Sequence, residues 1–304
     1  MDTSAVMSEC GGFDMSWAAR SDVGKVRKVN EDGWFAAPGI FVVADGMGGH
    51  AAGDIASKLT VSTFVDMVWS PPVSITELPT IVQDANRRVV EHALGFQREG
   101  MGSTLVAAAI VDNGSDTDLV VLNVGDSRCY LFEADRLVRI THDHSHVQEL
   151  VDNGEITEAE AAVHPSRNVV TRAIGIEHVV TADYVVVPVE GAVRLMLCSD
   201  GVHGEVGEES LHDILAEHTS PAAAVDAVIN RVLQGRAADN ATVVVVDLVR
   251  LVAHDADDLD ATGPRLARKI EPTEGDSASG DTMPTARIRA QRMTMSVAYE
   301  EEST

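Results

Sequence analysis

The sequence predicts an α+β fold in which two antiparallel sheets stack and helices cover them. Three observations support this class. The predicted strands follow one another in runs, the helices come in pairs, and no regular strand-helix-strand alternation is present. With 304 residues, 45% of them hydrophobic, the chain can build one large core.

From the N-terminus, residues 1–12 are expected to form a flexible leader. An alternating strand pattern begins at Phe13–Trp17. A helix is predicted from Ala52 to Val68, because its apolar residues fall on one stripe and a Pro-Pro pair follows it. A second helix is predicted from Thr76 to Leu94, which completes the first helical pair.

The middle of the chain predicts an antiparallel meander followed by a flap. Turn signals separate three predicted strands, at Ser103–Val111, Asp118–Val124 and Arg128–Phe132. Residues 142–174 then change to short helices rich in His, Glu and Ala, with Thr157 as a helix cap. This segment is interpreted as a mobile flap.

The remaining elements close the core and leave a tail. Two strands are predicted at Val179–Val187 and Val193–Cys198, two helices lie within Glu208–Leu233, and a last strand covers Ala241–Leu251. Residues 252–304 are rich in Asp, Glu, Ser, Thr, Gly and Pro, which predicts disorder. One folded domain over 13–251 is therefore expected.

Composition excludes several classes of protein. With 23 Lys and Arg against 48 Asp and Glu, the formal net charge is −25, which repels nucleic-acid backbones. No run approaches the roughly 18 apolar residues of a membrane span. The three cysteines, Cys10, Cys129 and Cys198, are isolated in sequence. A reduced, monomeric cytoplasmic protein without nucleic-acid or membrane binding is predicted.

Acidic residues cluster beside the predicted strands. The clusters are Asn30-Glu31-Asp32, Asp45-Gly46-Met47-Gly48-Gly49, Ser199-Asp200-Gly201 and Asp239-Asn240. Strand ends can bring distant carboxylates together, and carboxylate, carbonyl and water oxygens suit Mg²⁺ or Mn²⁺. A single Asp before Gly is commonly only a turn residue. Together, the clusters indicate a metal site.

Six motifs in order resemble the bacterial metal-dependent protein serine/threonine phosphatases of type 2C, the PPM family. They are Ser21 to Asp32, Val43 to His50, Met101-Gly102-Ser103-Thr104, Val124 to Arg128, Leu197 to Gly201 and Asp239 to Thr242. The resemblance covers about residues 13 to 250. It implies a four-layer α-β-β-α sandwich with a divalent-metal cleft.

The resemblance also implies roles for individual residues. It makes Asp45 the carboxylate that bridges two metals and Gly46 the donor of a backbone oxygen. One metal then draws on Asp200 and Asp239, and Glu31 is a ligand of the second. Asp32 holds metal-bound water, and Arg27 grips the substrate phosphate. Two Mn²⁺ or Mg²⁺ ions then activate water for attack on phosphoserine or phosphothreonine. The expected partners are phosphorylated proteins and a Ser/Thr kinase whose action the enzyme opposes.

The chain departs from the family pattern in two places. Asp126 matches a ligand of a weaker third metal, but Gly204 stands where many relatives carry Asp, with Glu205 next, so that site is expected to be weaker or reshaped. A turn-capping role for Asp126 stays open. Met47 replaces the His of animal relatives, which leaves the leaving-group acid unassigned. His50 is interpreted as a surface or packing residue.

The sequence leaves open an alternative site and an alternative function. His142, His144 and His146 alternate as in a zinc or copper site, although a loop before the flap is the preferred interpretation, because no Cys partner is near. The rival function is a pseudophosphatase that binds phosphoproteins without turnover. The intact Asp45, Asp200, Asp239 and Arg27 argue against it.

Overall fold

The computed structural model describes residues 3–48, 52–66, 72–97, 100–251 and 291–293. These residues form two sheets with helices on both outer faces. The strands are β1 Thr3–Cys10, β2 Phe13–Asp22, β3 Asp32–Ala37, β4 Ile40–Met47, β5 Val73–Ser74, β6 Gly102–Ser103, β7 Leu105–Asp112, β8 Thr117–Val124, β9 Arg128–Glu133, β10 Arg136–Arg139, β11 Asp183–Val187, β12 Ala192–Cys198, β13 Ala241–Arg250 and β14 Gln291–Met293. The helices are α1 Ala52–Val65, α2 Leu78–Phe96, α3 His146–Asp152, α4 Glu158–Ala161, α5 Asp200–His203, α6 Glu208–Glu217 and α7 Pro221–Gln234.

The first sheet has the order β1-β2-β13-β12-β9-β10, and the second runs β14-β11-β8-β7-β4-β3. The short β5 and β6 join the second sheet beside β7 and β4. All pairs are antiparallel except β5 with β7. The predicted α+β class is confirmed. The predicted meander is right for β7 and β8, which pair antiparallel, but wrong for β9, because the chain crosses to the first sheet after β8 and β9 pairs there with β12 and β10.

Strand β13 shows why the layers form. Val244 and Val246 face the core between the sheets, whereas Val243 and Val245 face the helices. Side chains alternate along a strand, so a continuous apolar run fits a strand covered on both faces. The two outer helical layers are α1 with α2 on one sheet and α5 to α7 on the other.

The predicted flexible leader is wrong in the part that is described. Thr3–Cys10 forms β1 and pairs antiparallel with β2. Gly11 and Gly12 connect the strands at φ values of 55° and 73°, a left-handed conformation that glycine adopts without strain and that suits a tight hairpin. This Gly-Gly turn was the missed signal.

Other predicted boundaries need smaller corrections. The second helix begins at Leu78 rather than Thr76, because Ser74 and Glu77 form a capping box around a short 3-10 turn. The strand predicted from Val179 begins at Asp183. The Thr157 cap is confirmed, because its side chain accepts a hydrogen bond from the backbone N–H of Glu160.

The predicted tail, 252–304, lies outside the described residues except for Gln291–Met293. That segment pairs with β11 as an edge strand, which differs from the disorder predicted for it. The physical reason is that the outer edge of β11 offers unpaired backbone groups. Within the described ranges, no helix is both long and apolar enough to cross a membrane.

Candidate metal centre

Asp45 and Asp32 are brought side by side by one strand pair. They are direct partners across β3 and β4. The N–H of Asp45 donates to Thr104 Oγ1 over 2.9 Å, and the N–H of Gly46 donates to the Glu31 carbonyl over 3.2 Å. The two N-terminal acidic clusters therefore share one fixed backbone frame.

Asp200 and Asp239 come from the other sheet. Asp200 begins α5 directly after β12, and Asp239 lies just before β13, its antiparallel neighbour. Gly201 allows this close approach, because an added Cβ would lie 1.9 Å from the Asn240 carbonyl oxygen. The Asp45 and Asp200 carboxyls lie close enough for each to influence the pKa of the other, which brings the acids of the two sheets together.

Burial and mutual repulsion dominate the electrostatics of these acids. Desolvation, followed by the charges of Asp32, Asp200 and Asp126, holds the pKa of Asp45 well above its usual value. Desolvation likewise raises the pKa of Asp32 to about 7 and that of Asp126 to about 8. Converging buried carboxylates of this kind need a cation for all of them to be ionised.

Asp32 is held by hydroxyl groups. Its Oδ2 accepts hydrogen bonds from Ser199 Oγ at 2.8 Å and Thr242 Oγ1 at 2.6 Å, while its buried Oδ1 has no protein partner. An orphaned buried carboxylate oxygen is costly unless another group satisfies it. Neither hydroxyl was singled out from the sequence, although both lie inside quoted motifs.

Arg27 lies at the edge of this centre. Its Nη2 donates to Asp239 Oδ2 over 2.8 Å, and its Nη1 lies 3.9 Å from Glu31 Oε2. These two acids hold the guanidinium beside the buried carboxylates. The sequence placed all three residues in one site, and the structure brings them together.

Asp126 follows β8, and desolvation together with the charge of Asp200 raises its pKa. His203 Nε2 lies 3.0 Å from the Asp126 carbonyl oxygen and can donate to it. This contact links α5 to the Asp126 turn, and no sequence pattern indicated it. Gly204 lies at the end of α5, so no carboxylate side chain projects there; Glu205, the next residue, instead meets Arg236.

The donor set fits hard divalent cations. Carboxylate and backbone oxygens predominate, and the repulsion among Asp45, Asp32 and Asp200 is of the kind that Mg²⁺ or Mn²⁺ relieves. Within residues 3–48, 52–66, 72–97, 100–251 and 291–293, no three acidic, His or Cys side chains already form a closed ligand group. The fit therefore rests on donor chemistry and charge.

The three alternating histidines do not converge on one point. His142 contacts Asp152 at 2.7 Å, while His144 Nδ1 accepts a hydrogen bond from the Gly125 N–H at 3.0 Å. The preferred loop interpretation agrees with these separate contacts of His142 and His144, whereas His146 is the first residue of α3. His50 lies outside the described residues.

His144 also contacts Asp183, which joins the flap to β11. Asp183 Oδ1 lies 3.4 Å from His144 Nε2 and accepts from Arg172 Nη1 at 2.9 Å. The His144 hydrogen bond is the main cause that lowers the pKa of Asp183 to about 2. The anionic carboxylate therefore anchors the end of the flap.

Asp183→Asn is expected to lower the free energy of unfolding by about 1 kcal/mol at pH 7, because the lowered pKa of this partly exposed carboxyl reflects stabilisation of its anion in the folded state. Because the folded-state pKa is lowered, this stabilisation is present above about pH 4 and is lost as the pH falls towards 2. Urea unfolding of both proteins at several pH values measures it. The exposed Asp14→Asn serves as control, and a difference that persists at pH 2 would contradict the ionic explanation.

The fold and the acidic centre are those expected of a metal-dependent phosphatase. Comparison with known proteins agrees with this class. The chain is 38% identical over 241 residues to a Listeria welshimeri protein named serine/threonine phosphatase stp, covering 75% of this chain and 94% of that one. The crystal structure of the Mycobacterium tuberculosis serine/threonine phosphatase PstP/Ppp superposes with a TM-score of 0.70 at 36% identity, over 77% of this chain and 98% of that one.

A second solved structure is the PstP catalytic domain in complex with two manganese ions. It has a TM-score of 0.70 and 35% identity, and the match covers 78% of this chain and 99% of that chain. The profile described as Protein phosphatase 2C matches residues 26–235. The chain belongs to this family of serine/threonine phosphatases, the PPM family.

Proposed function

We propose that this chain hydrolyses phosphoserine and phosphothreonine in proteins with two Mn²⁺ or Mg²⁺ ions, and that it opposes a Ser/Thr kinase. The observation that carries the proposal is the convergence of Asp45, Asp200 and Asp32 in one partly buried cluster with raised pKa values. Family membership and the two manganese ions of the PstP complex support the choice of reaction and metal.

The proposed ligands are Glu31, Asp45, the Gly46 carbonyl, Asp200 and Asp239, with Asp126 beside a weaker third position. When bound, divalent ions lower the pKa of water and offset charge on phosphoryl oxygens. Asp32 accepts two hydrogen bonds on Oδ2, which leaves Oδ1 to receive a proton or orient a donor. Arg27 is the proposed phosphate-binding residue.

The position of Arg27 supports the proposed role in phosphate binding. Its guanidinium is half exposed and already oriented by Asp239 and Glu31. A planar guanidinium can donate two parallel hydrogen bonds to a phosphate group. The oriented side chain would therefore bind a phosphoester with little further loss of conformational freedom.

Arg27→Ala is expected chiefly to raise KM for phosphate esters, by about tenfold, since a charged hydrogen bond contributes roughly 1.5 kcal/mol. Steady-state kinetics with p-nitrophenyl phosphate and a phosphothreonine peptide would measure it. Arg27→Lys, which keeps the charge but not the planar fork, is expected to recover only part of the loss. An unchanged KM would remove Arg27 from the phosphate site.

The deciding experiment is hydrolysis of those two substrates with Mn²⁺, Mg²⁺ or chelator, by the wild type and by Asp239→Asn. Metal-dependent release that is lost in the variant supports the proposal. No release by folded protein with any metal would overturn it and favour the pseudophosphatase. Opposition to a kinase is tested separately, by loss of phosphate from proteins that a co-expressed Ser/Thr kinase has modified.

A further inference from the structure

The loop between β2 and β3 presents an unusual surface beside the acidic centre. Residues 25–29 are exposed and alternate cationic with apolar side chains, Lys25, Val26, Arg27, Lys28 and Val29. Val26 is 67% exposed and Val29 is 50% exposed. Two of the four lysines in a chain of net charge −25 therefore lie within four residues. The catalytic proposal uses neither of these two lysines.

The loop is rigidly attached despite this exposure. Gly24 has φ of +75°, and an added Cβ would lie 2.3 Å from the Asp239 carbonyl oxygen. The Lys25 N–H donates to the Ala237 carbonyl at 2.8 Å, and Asn240 Nδ2 donates to the carbonyls of Val23 and Val29 at 3.0 Å each. A preformed loop binds a partner with little ordering cost.

The cations of the loop differ in their partners. Arg27 is paired with Asp239, and the Lys25 ammonium donates to the Gly235 carbonyl at 3.0 Å. Lys28 has no hydrogen bond or ion pair within the described part of the chain. It is therefore a free positive charge, one residue from the group proposed to hold the phosphate.

We propose that residues 25–29 are a docking surface that selects phosphoprotein segments with Asp or Glu close to the phosphorylated residue. The inference rests on the proposed function and names its substrate class. When the phosphate is bound at Arg27, the residues of an extended substrate segment follow one another at intervals of about 3.3 Å. The residues that flank the phosphorylated one therefore lie within reach of the Lys28 side chain. Val26 and Val29 offer apolar contact beside that charge.

The charge distribution explains why such a surface matters. A molecule with net charge −25 repels acidic segments at long range, so a local cation is needed to accept them. Charge complementarity of exposed groups fixes register and partner choice more than overall affinity. The preference should therefore weaken as salt rises towards 0.5 M, where screening shortens the range of the attraction.

The test compares two phosphothreonine peptides that differ only in having Asp or Ala at the flanking positions, with full-length protein and Mn²⁺. The readout is the ratio of kcat/KM for the acidic peptide to that for the neutral peptide. We expect a ratio of about five in the wild type, about one in Lys28→Gln, and below one in Lys28→Glu. The wild-type value corresponds to the contribution of one solvent-exposed ion pair.

The matched control is Arg136→Glu, which reverses an exposed cation on the edge strand β10 and should leave the ratio unchanged. Hydrolysis of p-nitrophenyl phosphate by the wild type separates the two proposals. Hydrolysis without a peptide preference, or a ratio insensitive to Lys28→Glu, overturns the docking surface alone. No hydrolysis of any substrate overturns the proposed function and this inference with it.

Discussion

Replacing Asp45 by Asn is expected to lower kcat with p-nitrophenyl phosphate by about 10³-fold while the protein stays folded. Asp45 is the proposed shared ligand of both metals, so the loss of one charge weakens both sites. The factor corresponds to the loss of several kcal/mol of transition-state stabilisation. Steady-state kinetics over a Mn²⁺ titration would measure it.

The fold is expected to survive for a physical reason. Burial and three neighbouring carboxylates already disfavour the Asp45 charge, so a neutral amide relieves repulsion in the metal-free protein. Urea unfolding without metal should show equal or slightly higher stability. The control is Asp213→Asn, whose side chain is 74% exposed. A variant that retains most activity would contradict the site assignment.

Gly201→Ala is expected to reduce stability by about 3 kcal/mol and activity by about 100-fold, since overpacking of this kind forces the backbone apart. The new Cβ would lie 1.9 Å from the Asn240 carbonyl oxygen, so α5 and the start of β13 must separate. That movement takes Asp200 away from Asp239. Denaturant unfolding and kinetics would measure the two losses.

Gly95→Ala is the matched control for the same chemical change. Gly95 lies within α2, and nothing is within 4 Å of an added Cβ. Alanine should raise stability there by about 0.5–1 kcal/mol, because glycine is the poorer helix former. Equal effects at Gly201 and Gly95 would show that the close approach beside Asn240 is not decisive.

Helices and buried strands were predictable because their signals are local. The run of valines in β13 occurs within a few consecutive residues. In α1 the helix was predictable, but its buried face consists largely of small residues such as Ala56 and Thr60, and Val65 of the predicted stripe is 38% exposed. The N-terminal strand β1 was missed because its stabilisation comes from pairing with β2, after a Gly-Gly turn whose significance depends on both strands. Strand formation at an edge is decided by its neighbour.

The candidate metal centre was likewise predictable from the sequence only in part. The sequence indicated Asp45, Asp200 and Asp239 from motif order. It did not indicate that Ser199 and Thr242 hold Asp32, or that His203 contacts the Asp126 carbonyl. Each of these contacts joins elements that are distant along the chain. Only packing of the two sheets brings their atoms within hydrogen-bonding distance.

The sequence by itself determined the fold class, the family and the acidic residues of the proposed centre, because hydrophobic periodicity and motif order are properties of the linear chain. Tertiary structure alone decided how those acids are buried together, which of their oxygens are satisfied and which cations stay free. The physical reason is that desolvation, charge repulsion and hydrogen bonding depend on distances between residues far apart in sequence. Lys28, which has no partner among the described residues although Arg27 beside it is paired, is an example.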